Sequence, residues 1–191
     1  IYAVGKGPSA TSVTAPEVSL TLGSSIVIRG TVTDISSGTK DDAITARFPN
    51  GVPAVSDDSM SDWMLYVYKQ FERPPNTVGV DVSISVLDAN GNFRNIGTTK
   101  SDANGFYTFQ WTPDIQGQYT VYASFAGTKS YYGSYSQTSF AVDPAPTTAP
   151  TPIPQSGLAT TAELMTYMVG GVIAIIIAIA IVGFLILRKH P

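Results

Sequence analysis

From Leu164 to Leu187 the chain carries no charged side chain, and most positions are Ile, Val, Ala or Leu. As a helix rising about 1.5 Å per residue, this run is about 36 Å long, enough to cross a hydrocarbon core of about 30 Å. It has no polar stripe opposite an apolar one, as a helix packed on a soluble core would. Glu163 precedes it, and Arg188, Lys189 and His190 follow directly. Positive charge gathers on the cytoplasmic side of membranes. The expectation is a single-pass protein of the cell membrane, with a span over 164–187 in the lipid bilayer and a cytoplasmic tail over 188–191. All that precedes the span is then extracellular. Tyr167, near the outer end, suits an interfacial aromatic. Gly170, Ala174 and Ala178 fall four apart and form a small-residue stripe on which a second helix can pack. A monomer or weak dimer through the span is expected.

Removing the span and its approach leaves about 140 residues, the size of one domain. The chain contains no cysteine, and its single histidine, His190, lies beyond the span. A disulfide framework, a thiol nucleophile, a thiolate metal site, a Ser-His-Asp triad and a His-based metal site are therefore excluded from the folded part. An enzyme here would need an all-carboxylate site such as a glycosidase pair, and the spacing places no such pair. No catalytic residue, cofactor or metal ligand is assigned. Of 11 basic residues, Arg188 and Lys189 follow the span, which leaves nine against 14 acidic ones outside. That balance argues against nucleic acid as a partner.

The middle of the chain alternates with a period of two. Ile26, Ile28, Gly30 and Val32 fall on one side of a strand; so do Val80, Val82, Ile84 and Val86, and then Tyr119, Val121, Ala123 and Phe125. A sheet with one buried face requires this pattern. Seven strands follow: 12–22 (broken near Pro16), 25–33, 79–87, 93–99, 105–111, 117–125 and 135–142. Two Asp-Ala-Asn-Gly runs, at 88–91 and 102–105, supply hairpin turns with Asn-Gly where positive φ is needed. Seven short strands in this length suggest a mainly β fold, an Ig-like β-sandwich over 11–143. Tyr119, early in the sixth strand, occupies the place of a tyrosine corner.

One helix interrupts the strands, over about 57–71. Ser56 is its expected N-cap, and Asp57, Asp58 and Asp62 suit the positive end of the helix dipole. Met60, Met64, Val67 and Phe71 form its apolar face, flanked by Trp63. Pro144, Pro146, Pro150, Pro152 and Pro154, mixed with Thr and Ala, make 144–163 an extended stalk. Residues 1–10 read as the end of a preceding domain or linker, because Ile1-Tyr2-Ala3-Val4-Gly5 is a strand without a nearby partner.

Two features invite a chemical reading. Asp88, Asn90 and Asn92 open a D-x-N-x-N calcium pattern, but its twelfth position is Thr99, where an EF-hand needs a bidentate Glu; a hairpin turn is the expectation. Tyr131, Tyr132 and Tyr135 cluster between the last two strands, and tyrosines in such a loop bind at low entropy cost. They are the candidate partner-binding residues, for a glycan or a protein at the cell surface. The 57–71 helix face is the alternative.

Two stretches carry a family resemblance. One runs from Pro53 through Asp57, Asp58, Asp62 and Trp63 to Met64, and the other from Gly97 through Asp102-Ala103-Asn104-Gly105 to Trp111-Thr112-Pro113. Both resemble the C-terminal region of archaeal cell-surface proteins that carry a pyrroloquinoline-quinone-like β-propeller. In those proteins an Ig-like domain, a Pro/Thr stalk and one span follow the propeller. The resemblance implies that Ile1–Gly5 closes a propeller blade and that an N-terminal propeller in the same chain is a partner. The propeller itself is missing from these residues, so none of its ligands or activities is carried over. The function expected from order and resemblance together is a membrane-anchored module that presents an N-terminal domain at the cell surface.

Overall fold

The computed structural model describes residues 5–146 and 161–189, which form two separate units. The first is built mostly of strands and the second is one helix. Residues 1–4 of the expected blade strand, 147–160 of the expected 144–163 stalk, and His190 lie outside the described residues.

The strands are β1 (Ser9–Thr11), β2 (Leu20–Thr21), β3 (Ile26–Asp34), β4 (Val52–Pro53), β5 (Asp81–Leu87), β6 (Phe93–Lys100), β7 (Phe106–Trp111), β8 (Gly117–Phe125) and β9 (Ser134–Asp143). Around β3, β1 lies on one edge, while β7 and then β4 share the other. The second sheet has the order β2-β9-β8-β5-β6. All pairs in it are antiparallel except β2 with β9.

Both sheets bury their alternate residues in one core. Ile26, Ile28, Val32 and Tyr107 come from the first sheet, and Val82, Ile84, Val86, Tyr119, Val121 and Phe140 from the second. Each buried aliphatic chain contributes about 1.5–3 kcal/mol relative to exposure. Gly30 leaves this core face open for a reason. A Cβ there would sit 2.4 Å from the Tyr107 hydroxyl and 2.0 Å from the Ser12 carbonyl, and that hydroxyl donates to that carbonyl at 2.6 Å. The bond ties β7 to the segment after β1 across the gap glycine provides.

The expected first strand, 12–22, divides. Its N-terminal part joins β3, with Thr14 and Arg29 exchanging backbone hydrogen bonds at 2.7 and 3.0 Å. After Pro16, Leu20 and Thr21 pair with β9 in the other sheet. Proline, which cannot donate to a ladder, marks the crossing between sheets.

The two Asp-Ala-Asn-Gly turns share one geometry. Asp88 Oδ1 accepts from the Asn90 and Asn92 amides, both at 2.9 Å. Asp102 Oδ1 accepts from the Asn104 and Phe106 amides at 2.8 and 3.0 Å. Positive φ falls on the glycine alone, +82° at both Gly91 and Gly105, and the asparagines keep ordinary backbone. Asp88 thus serves the turn. The amide of Asn92, chiefly, holds its carboxyl below the usual range.

The connection from β3 to β5 contains more structure than its one expected helix. It holds α1 (Asp42–Arg47), β4 and α2 (Met60–Lys69), with short 3-10 turns over Ser37–Lys40 and Asp57–Ser59. Asp41 caps α1 by accepting from the Ala43 amide at 3.0 Å. These pieces enclose a second small core of Ile44, Val52, Val55, Trp63 and Val67. Phe48 and Tyr66 rings meet Trp63 at 6.0 and 5.3 Å. The helix also departs from expectation at both ends. Ser56 makes no side-chain cap bond to an amide. At the other end Gln70 turns left-handed (φ 58°), so Phe71 leaves the apolar face and becomes exposed.

The second unit is α3, Thr161–Lys189. It is long and apolar enough to cross a membrane, with mean hydropathy reaching 3.0.

Candidate recognition surface

The three candidate tyrosines leave the sequence as a cluster and arrive in three environments. The loop between β8 and β9 is fastened from three directions. Asp57 accepts from the Lys129 and Ser130 amides, both at 3.0 Å. Gly7 donates to the Ser130 carbonyl and accepts from the Tyr132 amide, both at 2.8 Å. Within the loop, Thr128 Oγ1 accepts from the amides of Ser130 and Tyr131. Hydrogen bonding from Ser130, then from the Lys129 amide, holds the Asp57 carboxyl down at about 2.

Pinned this way, Tyr131 turns inward and is 2% exposed. Its hydroxyl donates to Asp34 Oδ2 at 3.4 Å. Burial, followed by the Asp34 charge, raises its pKa far above the ordinary phenol value. Tyr132, one residue on, is 60% exposed, and Tyr135 is 73% exposed. Tyr135 belongs to β9 and stands on the outer face of the five-stranded sheet. The structure therefore separates Tyr131 from the other two.

That outer face brings Tyr135 together with two rings from distant parts of the sequence. Ser124 of β8 pairs with Tyr135, and Tyr122 lies two residues along β8, opposite Gln137. Thr120, two residues further, pairs with Leu87 of β5, and Leu87 pairs with Phe93 of β6. Tyr135, Tyr122 and Phe93 thus lie on a diagonal across four strands. Phe93 and Tyr122 meet edge to face at 5.6 Å, and Phe93 is 64% exposed. Between and beside the rings stand Ser83, Ser85, Ser124, Asn95 and Gln137. Asn95 donates to Ser83 Oγ at 2.6 Å and to Ser85 Oγ at 3.4 Å. The charges of this face lie at its margins, in the Lys100–Asp81 ion pair at 2.8 Å and in Asp143. Sequence reading missed Tyr122 and Phe93. The inward alternation of Tyr119, Val121 and Ala123 already points Tyr122 outward, but the register that aligns it with Phe93 is long-range.

The α2 candidate resolves differently. Trp63 and Val67 are buried, and Met60 and Met64 pack against the second core. The large apolar residues α2 shows to solvent are Leu65, Tyr68 and, beyond its end, Phe71. Away from both surfaces, Tyr119 accepts from the Ile115 amide at 3.2 Å and donates to Asp114 at 3.0 Å. Asp114 also pairs with Arg94, and this pairing above all holds its carboxyl at about 2.

No family model matches the chain, and no curated protein matches it. Among solved structures it is similar to the crystal structure of a tetra-tandem repeat in the extending region of a large adhesion protein, at 19% identity and a TM-score of 0.37. The match covers 72% of this chain and 24% of that one, so the chain spans about a quarter of that structure's length.

Proposed function

We propose that this chain is a membrane-anchored extracellular module that presents, and recognises through, its β-rich domain at the cell surface. The observation that carries the reading is the joining of two units in one chain. One buries its apolar residues in its own core. The other is a bare apolar helix that ends in Arg188 and Lys189. The bilayer is the partner of that helix, and the basic residues favour a cytoplasmic C-terminus. Any self-association runs through the span, as a monomer or weak dimer with Gly170, Ala174 and Ala178 in contact. The domain acts as a structural and binding module rather than an enzyme.

An Ig-like sandwich is the finer reading of the fold. Its supports are the two sheets around one core, the crossing of the first strand between sheets at Pro16, and the Tyr119 hydroxyl bonded back to residues 114–115. The resemblance to archaeal propeller-bearing surface proteins supports a propeller on the N-terminal side of this domain, presented by this module. Protease treatment of intact cells is expected to remove the domain and leave the span in the membrane. Protection of the domain until the cells are permeabilised would contradict the topology.

A further inference from the structure

We propose that the outer face of the five-stranded sheet binds a neutral polysaccharide chain along the diagonal of Tyr135, Tyr122 and Phe93. The proposal deepens the surface-module reading and rests on the domain being outside the cell.

Three rings from β9, β8 and β6 line up on one pleated face, and the line crosses three strand spacings of about 4.8 Å each. It also advances four residues along the strands, as the register from Tyr135 through Tyr122 to Phe93 shows. That length suits several linked sugars rather than one. A pyranose presents an apolar face of C–H groups and an equator of hydroxyls. The ring faces of exposed aromatics take the former. Hydroxyls and amides take the latter, and here they are Ser83, Ser85, Ser124, Asn95 and Gln137. Asn95 is already oriented by its bond to Ser83 Oγ at 2.6 Å, which lowers the entropy lost on binding.

The composition selects against other partners. Protein interfaces are enriched in aromatics, Met and Arg and depleted in Ser; this face shares the aromatics, but the ground between its rings is largely Ser, Thr and amide. An acidic polymer needs cations along its track, and the one lysine of this face, Lys100, sits at the margin paired to Asp81. An uncharged platform fits an uncharged chain. The geometry also explains why the rings remain on the surface: Tyr135 and Phe93 pack against no core.

The test is affinity electrophoresis of the full chain in a zwitterionic detergent, since sugar-headed detergents would compete. Native gels contain hydroxyethylcellulose, glucomannan, galactomannan or dextran, with alginate as the acidic comparison. At least one neutral polymer is expected to retard the protein. Tyr135→Ala and Phe93→Ala are each expected to weaken retardation at least fivefold, and Val18→Ala, exposed in the connection before β2, to leave it within twofold. All three side chains are exposed, and an unchanged thermal melt verifies folding. No retardation by any neutral polymer overturns the proposal. So does retardation by alginate alone, or retardation that both ring variants leave unchanged. With the domain accessible on intact cells, any of these results removes the polysaccharide site and leaves the surface-module reading standing. A domain found inside the cell removes both.

Discussion

The β-rich domain and α3 treat the same kinds of side chain in opposite ways. In the domain, Ile28, Val82, Ile84 and Val121 are sealed from solvent. Along α3, Ile175, Ile176 and Ile179 each keep more than half of their surface open. The domain satisfies its apolar residues by packing sheet on sheet. Among the described residues the helix has no such partner within its own unit, and its backbone groups are satisfied internally, as a lipid solvent demands. One chain thus holds apolar residues sealed in a core and apolar residues left open along a helix long enough to cross a membrane.

Substitutions should split along that line. The largest effect is expected from Trp63→Ala, which empties the second core and should cost about 3–5 kcal/mol in domain stability by denaturant melt. Trp63→Phe should cost clearly less. The buried Nε1 of Trp63 has no hydrogen-bond partner, so Phe removes an unsatisfied donor along with the lost volume. Next, Ile84→Ala should destabilise by about 2–5 kcal/mol, whereas Ile176→Ala should leave the domain melt unchanged. Ile176→Arg should act on the other side of the comparison. It costs about 2.5–3.5 kcal/mol of insertion at a helix centre and should lower the membrane-integrated fraction without altering the domain melt.

A smaller effect is expected from pH. The Asp57 carboxyl is held at about 2 in the folded domain against 3.8 when unperturbed. A depressed folded pKa contributes stability above the unfolded value and loses it as pH falls toward the folded one. The Tm of the wild type should therefore drop between about pH 4 and pH 2. Asp57→Ala should lower Tm at neutral pH and flatten that drop, while α3 insertion stays constant over the same range. An equal acid response in wild type and variant would remove Asp57 as the clasp of the β8–β9 loop.

What could be read from the sequence divides by the range of the interaction. The strands announced themselves because alternation is local: Ile26 to Val32 and Val80 to Val86 show their buried side without any partner. The long apolar helix is equally plain, since length and apolarity are properties of the run itself. α1 escaped because a helix of Asp42–Arg47 is too short to show a period, although Asp41 is an ordinary cap residue. The helical spacing puts Phe71 on the α2 face, because nothing in Gln70 signals a left-handed residue. The division of Tyr131, Tyr132 and Tyr135 depends on Asp57 and Gly7, which lie far away in the chain, and so does the alignment of Tyr122 with Phe93.

The central proposal is that α3 lies in the membrane and the β-rich domain lies outside the cell. The chain contains no cysteine, so single introduced thiols report location cleanly. Ser139→Cys lies on the exposed face of β9, and His190→Cys lies beyond the span. On intact cells a membrane-impermeant maleimide is predicted to label Ser139→Cys at once, and to label His190→Cys only after permeabilisation. Labelling of both before permeabilisation, or of His190→Cys alone, would contradict the account.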